Sequence, residues 1–343
     1  MYEYKYNGKL IHFVCEIYYD IAPYLAGITM KEFFLDIDKN IDAWKFHQDF
    51  VRSNFGEYLK PSAPTAPHLS YGHLACLGCK LNYTETGEPN VLPAVDSIDE
   101  AIELLKEKRD LDFTKTEIWQ SYQYMSDRVR EVFPQSPKFG GFGMEGPLTS
   151  AALLRGHGFY YDIMDEPEKC EEFLYLLTDS IIAFRKALDI AGGGTGEFLG
   201  GVGCCDDLAS MIPPSMWETH VIPFWKQYYD GLTKSPNRSM HVEALKPAQV
   251  KKLDLAGLSH YQPSVSPDLT IESVQENTSL PFDWLLYAFK ITDMTDDEIA
   301  AWQDDTLSKG ITSLRTQLGK FTVESGKLDR VLQWFKAADR YRV

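Results

Sequence analysis

From about residue 70 onward, apolar residues alternate between two arrangements, and the alternation predicts the fold. Short apolar or glycine-bounded runs near 74–79, 139–145, 197–203, 238–243, 257–262, 282–287 and 311–316 read as seven strands. Helical stripes separate them. Ser97-x-x-Glu100 is a capping box ahead of Ile98, Ala101, Ile102, Leu104 and Leu105, which share one face. Asp165-x-x-Glu168, with Pro167 in the first turn, opens a helix that runs to about Ile190 and stops at Gly192-Gly193-Gly194. Thr295-x-x-Glu298 opens another, ended by Gly310, and Leu328, Val331, Leu332 and Phe335 stripe a C-terminal helix. Residues 29–58 carry Phe33, Phe34, Ile37, Ile41, Trp44, Phe50 and Phe55, the pattern of helices packed on a larger body. The class is therefore α/β. Strands joined by helices form either an open doubly wound sheet or a closed (β/α)8 TIM barrel, and a length of 343 residues favours the barrel. We divide the chain into an N-terminal helical segment, 1–69, and a barrel, 70–343.

Charge narrows the partners. Thirty-four basic against fifty acidic side chains give a net charge of -16, which argues against nucleic acid and against an acidic membrane surface. No run approaches a membrane-spanning length and the start lacks the pattern of a signal peptide, so a cytoplasmic enzyme is expected. Six cysteines are too sparse to form a disulfide framework. Neither a Gly-x-Gly-x-x-Gly after an early strand nor a phosphate-binding loop occurs, so nucleotide folds have no support.

The most informative stretch is Ser239-Met240-His241-Val242-Glu243. Positions i and i+2 of a strand share a face, so His241 and Glu243 are presented together, as metal ligands, as a proton-handling pair, or as a hydrogen-bonded pair of the interior. Cys204-Cys205-Asp206-Asp207 follows another strand. Adjacent aspartates repel unless something separates them, so Asp207 either contacts substrate or metal or caps the short helix after it. Neighbouring thiols on a strand face opposite ways, leaving one of Cys204 and Cys205 to reach a site; Cys204 is the ligand we assign. Glu145 ends a glycine-rich strand, Ser264 lies in a hydroxyl-rich loop, and Tyr261 and Trp284 are candidate walls for an apolar substrate. Cys76-x-x-Cys79 lacks a second pair and reads as structural.

Several stretches together resemble the uroporphyrinogen decarboxylase-like superfamily. They are Gly146-Pro147-Leu148-Thr149 with Leu154-Arg155-Gly156, Tyr161-Asp162-Ile163-Met164-Asp165-Glu166-Pro167-Glu168, Asp206-Asp207-Leu208 through Pro213-Pro214-Ser215-Met216-Trp217, His241-Val242-Glu243, and Pro263-Ser264-Val265-Ser266. The resemblance implies a (β/α)8 barrel with its site at the C-terminal mouth, in a superfamily of porphyrinogen decarboxylases and of metal-dependent methyltransferases that exchange methyl groups with corrinoid proteins. An Arg-x-Ala-Gly-Arg-like motif, which grips porphyrinogen carboxylates in the decarboxylases, is missing here, where Arg52 stands alone. The methyltransferase branch has His-x-Cys where this chain has His241-x-Glu243, and a later Cys that is absent from 312–319. The resemblance implies a methyltransferase acting on a small, methoxylated substrate, with zinc on His241, Glu243 and Cys204, Asp207 assisting, a methyl-corrinoid protein as partner and a homodimer as the assembly. The alternatives are a decarboxylase of a porphyrinogen or smaller acid, and an inert binding protein on the same barrel.

Overall fold

The structure is a computed structural model and describes residues 2–343. The chain is mixed α/β and separates into two compact units. The first comprises Met1–Pro64, Gln262–Val265 and Phe282–Val343; the second comprises Thr65–Tyr261 and Ser266–Pro281. Among the described residues no helix is long and apolar enough to cross a membrane.

In the first unit, β1 (Tyr4–Tyr6) and β2 (Lys9–Ile17) form an antiparallel hairpin. The N-terminal segment, expected to be helical, thus begins with strands. Helices follow at Met30–Leu35 and Ile37–Phe55, as the aromatic spacing predicts. Thr29 caps the former in a full capping box.

The second unit opens with the helix Gly72–Leu77 where we expected a strand, because a four-residue apolar run bounded by glycines has no period of its own. A short hairpin, β3 (Lys80–Asn82) with β4 (Asn90–Leu92), follows. The segment 139–145, also expected as a strand, makes only an isolated parallel bridge between Leu69 and Phe142. Gly141 shows why: it has φ +81°, and a Cβ there would lie 2.0 Å from the Ala66 carbonyl oxygen. The long helix Pro167–Gly192 has Pro167 at its first turn but no side-chain capping bond, so the predicted Asp165 box does not form. Its Phe173, Leu174, Leu177, Ile181 and Phe184 are fully buried. Phe184 joins Trp119, Phe139, Phe142 and Tyr122 in an aromatic cluster with ring centroids 4.5–5.8 Å apart. Each such ring contributes about 1.5–3 kcal/mol by leaving water.

Three strands then form the sheet of this unit, in the order β5 (Val202–Cys205), β6 (Arg238–His241), β7 (His260–Gln262), with β5 and β6 parallel and the last reaching the unit boundary. Of the three strands expected here, β6 starts where predicted, while β5 starts at Val202 and not at 197 and β7 at His260 and not at 257. In the first unit β8 (Trp284–Leu286) and β9 (Ser313–Leu318) complete the order β1-β2-β9-β8, with β2, β9 and β8 parallel. Strand pairing therefore runs in separate sheets of two to four strands.

Candidate functional site

The register of β5 on β6 builds the site. Cys205 pairs with His241, and the alternation of an extended chain carries the next same-face positions, Asp207 and Glu243, alongside one another. The Glu243 backbone N–H donates to Asp207 Oδ1 at 2.9 Å, which locks the two strand ends together. His241 Nε2 lies 3.6 Å from Asp207 Oδ1 and 3.7 Å from Glu243 Oε1. Cys205 Sγ lies 3.6 Å from Asp207 Oδ2. The predicted His241 and Glu243 pair is thus brought together, with Asp207, on a half-exposed face.

The adjacent aspartates have opposite fates. Asp206 is fully buried, and its carboxylate accepts the backbone N–H groups of Leu148 (3.2 Å) and Thr149 (2.7 Å) and the Trp225 indole N–H (2.6 Å). It anchors the start of the helix Pro147–Arg155, whose first turn offers unpaired N–H groups. Burial pushes its carboxyl up to about 6 against the pull of those donors. Asp207 faces the cluster. Thr149 completes the seat by accepting the Leu208 N–H at 3.0 Å.

The thiol assignment reverses. Cys204 points into the buried side, close enough to Gly146 that a Cβ there would meet its Sγ at 2.8 Å, whereas Cys205 shares the face of His241 and Asp207. One ligand atom each from Cys205, Asp207 and His241 lies within 4.8 Å of the others. Glu145 adjoins them: desolvation first, then the charges of Asp207 and Asp206, push its carboxyl up to about 8, opposed by a hydrogen bond with Cys205. Tyr71, which the sequence did not single out, borders the same group. Burial foremost, with the Glu145 charge next, raises its phenol to about 12.

Other predicted residues fall elsewhere. Tyr261 is fully buried and its hydroxyl donates to the Val242 carbonyl at 3.2 Å, so it supports the floor of the sheet and does not wall a substrate. Ser264 and Trp284 belong to the first unit; Ser264 sits at φ +43° and Trp284 packs edge-on against Phe282 at 6.1 Å. Cys76 and Cys79 are buried free thiols, Cys76 within hydrogen-bond reach of the Thr116 hydroxyl.

The donor set suits a divalent metal: imidazole, carboxylate and thiol each place a ligand atom within 4.8 Å of the others. The 3.6 Å from His241 Nε2 to Asp207 Oδ1 is too long for a direct hydrogen bond. One thiol, one imidazole and one carboxylate leave a fourth position for water or substrate.

Residues 71–262 match the family model of uroporphyrinogen decarboxylase (URO-D), a span that contains every member of this cluster. No curated protein matches the chain.

Proposed function

The chain belongs to the uroporphyrinogen decarboxylase family, and from that premise we propose that it is a metal-dependent methyltransferase, taking a methyl group from a small methoxylated substrate and delivering it to a corrinoid protein. The observation that carries this reading is the convergence of Cys205, Asp207 and His241 within 4.8 Å on one open face. A zinc ion held by these three would act as a Lewis acid on the ether oxygen. Cys205 supplies the soft donor that His241-x-Glu243 lacks, and Glu243 stands beside His241 Nε2 as its orienting carboxylate. Glu145, which is hydrogen-bonded to Cys205 and whose carboxyl burial pushes up, is the general acid. As the carbon–oxygen bond of the substrate breaks and the methyl carbon joins the partner's cobalt(I), the Glu145 proton passes to the departing oxygen. The closed (β/α)8 barrel of the family is part of the same reading, with these strand ends at its C-terminal mouth.

The test is metal loading followed by methyl transfer. Chelator-stripped protein given cobalt(II) is expected to take up about one equivalent with a thiolate charge-transfer band, which Cys205→Ser abolishes, and to methylate free cob(I)alamin from a methoxylated aromatic compound only when loaded. Release of carbon dioxide from a porphyrinogen, indifferent to chelation, would establish a decarboxylase instead.

A further inference from the structure

Away from the strand ends that carry the cluster, the second unit holds a cavity of about 270 Å³ lined by Phe139, Phe142, Arg185, Leu188, Asp189 and Phe198 together with Gly192 and Gly194. It shares no lining residue with the cluster of Cys205, Asp207 and His241. Arg185 is the informative residue. Its guanidinium lies 5.2 Å from the centre of the Phe198 ring, and its Nε is buried with no hydrogen-bond partner. An arginine has five donors and no acceptor, and a ring face satisfies none of them by hydrogen bonding.

The absent partner has a structural cause. Asp189 lies one helical turn on from Arg185, the spacing at which a carboxylate ordinarily pairs with a guanidinium. Here Asp189 Oδ2 accepts the Gly196 N–H at 2.8 Å, and its main-chain carbonyl accepts the Gly194 N–H at 2.8 Å. A Cβ at Gly194 would come within 2.1 Å of the Asp189 carboxylate, so the glycine is what admits this arrangement. The Asp189 carboxylate is thereby tied to the loop and makes no hydrogen bond to Arg185, although its charge remains in the cavity lining. The exposed Lys138, which precedes the lining residue Phe139, brings its Nζ to 3.3 Å from where a Cβ on Gly193 would stand, and Gly193 lies in the chain between the lining residues Gly192 and Gly194. A chain of net charge -16 thus keeps one cation in the lining of this small space and a second beside its glycine loop, against the single acid Asp189.

We propose that this cavity is a binding site for a small aromatic monocarboxylate, its carboxylate paired with Arg185 and Lys138 and its ring against Phe139, Phe142 and Phe198. A planar carboxylate accepts N–H bonds from a guanidinium, and Arg185 has an N–H, at Nε, that no protein group satisfies. The aromatic walls select a flat apolar body over a hydrated inorganic anion.

Benzoate is the probe, titrated by calorimetry into chelator-stripped protein, so that the outcome is independent of the metal centre. Saturable binding of one benzoate is expected, with benzamide failing to bind and phosphate at least tenfold weaker. Arg185→Gln should weaken benzoate at least tenfold, and the exposed Lys138→Gln, which removes no buried contact, about threefold. Absence of saturable benzoate binding, equal binding of benzamide or phosphate, or unchanged affinity in Lys138→Gln together with a folded Arg185→Gln would overturn the assignment.

Discussion

Asp206 and Asp207 share a side chain and a neighbourhood in sequence, yet three buried donors claim the first and the open cluster claims the second. Asp206→Ala strands two backbone N–H groups and an indole N–H in the interior. Each orphaned donor costs about 1–3 kcal/mol, so a loss of roughly 3 kcal/mol or more is expected in urea unfolding. Asp207→Asn keeps the acceptor for the Glu243 N–H and should leave the urea midpoint within about 0.5 kcal/mol of wild type while weakening metal uptake at least tenfold. Parallel losses of stability in both variants would contradict the division of labour. At this scale the sequence was partly legible. His241 and Glu243 follow from strand alternation and Asp207 from the repulsion of adjacent acids, but choosing Cys205 over Cys204 required knowing which face Val202 starts on, and a strand that begins five residues later than its apolar run suggests hides that phase. Tyr71 carried no signal, since a tyrosine before Gly72 has no spacing to any other member of the cluster.

Elements are set by their ends. Thr295 Oγ1 accepts the Glu298 N–H while the Glu298 carboxylate accepts the Thr295 N–H, a reciprocal cap on the exposed start of the helix Asp296–Ser308. Thr295→Ala is expected to cost about 1 kcal/mol, read as a lowered thermal midpoint. Gly141→Ala should cost more, since it forces a side chain into a positive φ and against the Ala66 carbonyl; about 2 kcal/mol or greater is expected, with loss of soluble yield as a second readout. Helices with caps or a strong apolar stripe, such as Ile98–Glu107 and Leu328–Ala338, were readable from the chain. Segments without them were not. Lys9–Ile17 mixes exposed and half-buried positions without strict alternation, and its strand character comes from parallel pairing with β9, some three hundred residues away.

For the whole molecule, two buried imidazoles predict the acid limb of stability. Burial holds His47, in the first unit, down to about 4, and His73, in the second, down to about 3. Unfolded imidazoles take up protons near pH 6.5. Between pH 6.5 and these depressed values the unfolded chain therefore binds more protons than the folded one, so stability falls as pH drops through that window and is restored as pH rises. His47→Phe should flatten part of the decline in urea midpoint between pH 6.5 and 4; a curve parallel to wild type would rule out this origin. The mixed α/β class was visible in the alternation of short runs and capped helices, whereas the grouping of residues 1–64 with 282–343 rests on strand pairing that no local pattern encodes.

Cys205 and His241 occupy matching rungs of adjoining strands. Adding or deleting one residue within either strand would turn one donor away and leave the other in place. Substitution can tune this face gradually, whereas a single-codon insertion in either ladder would part the two donors at once.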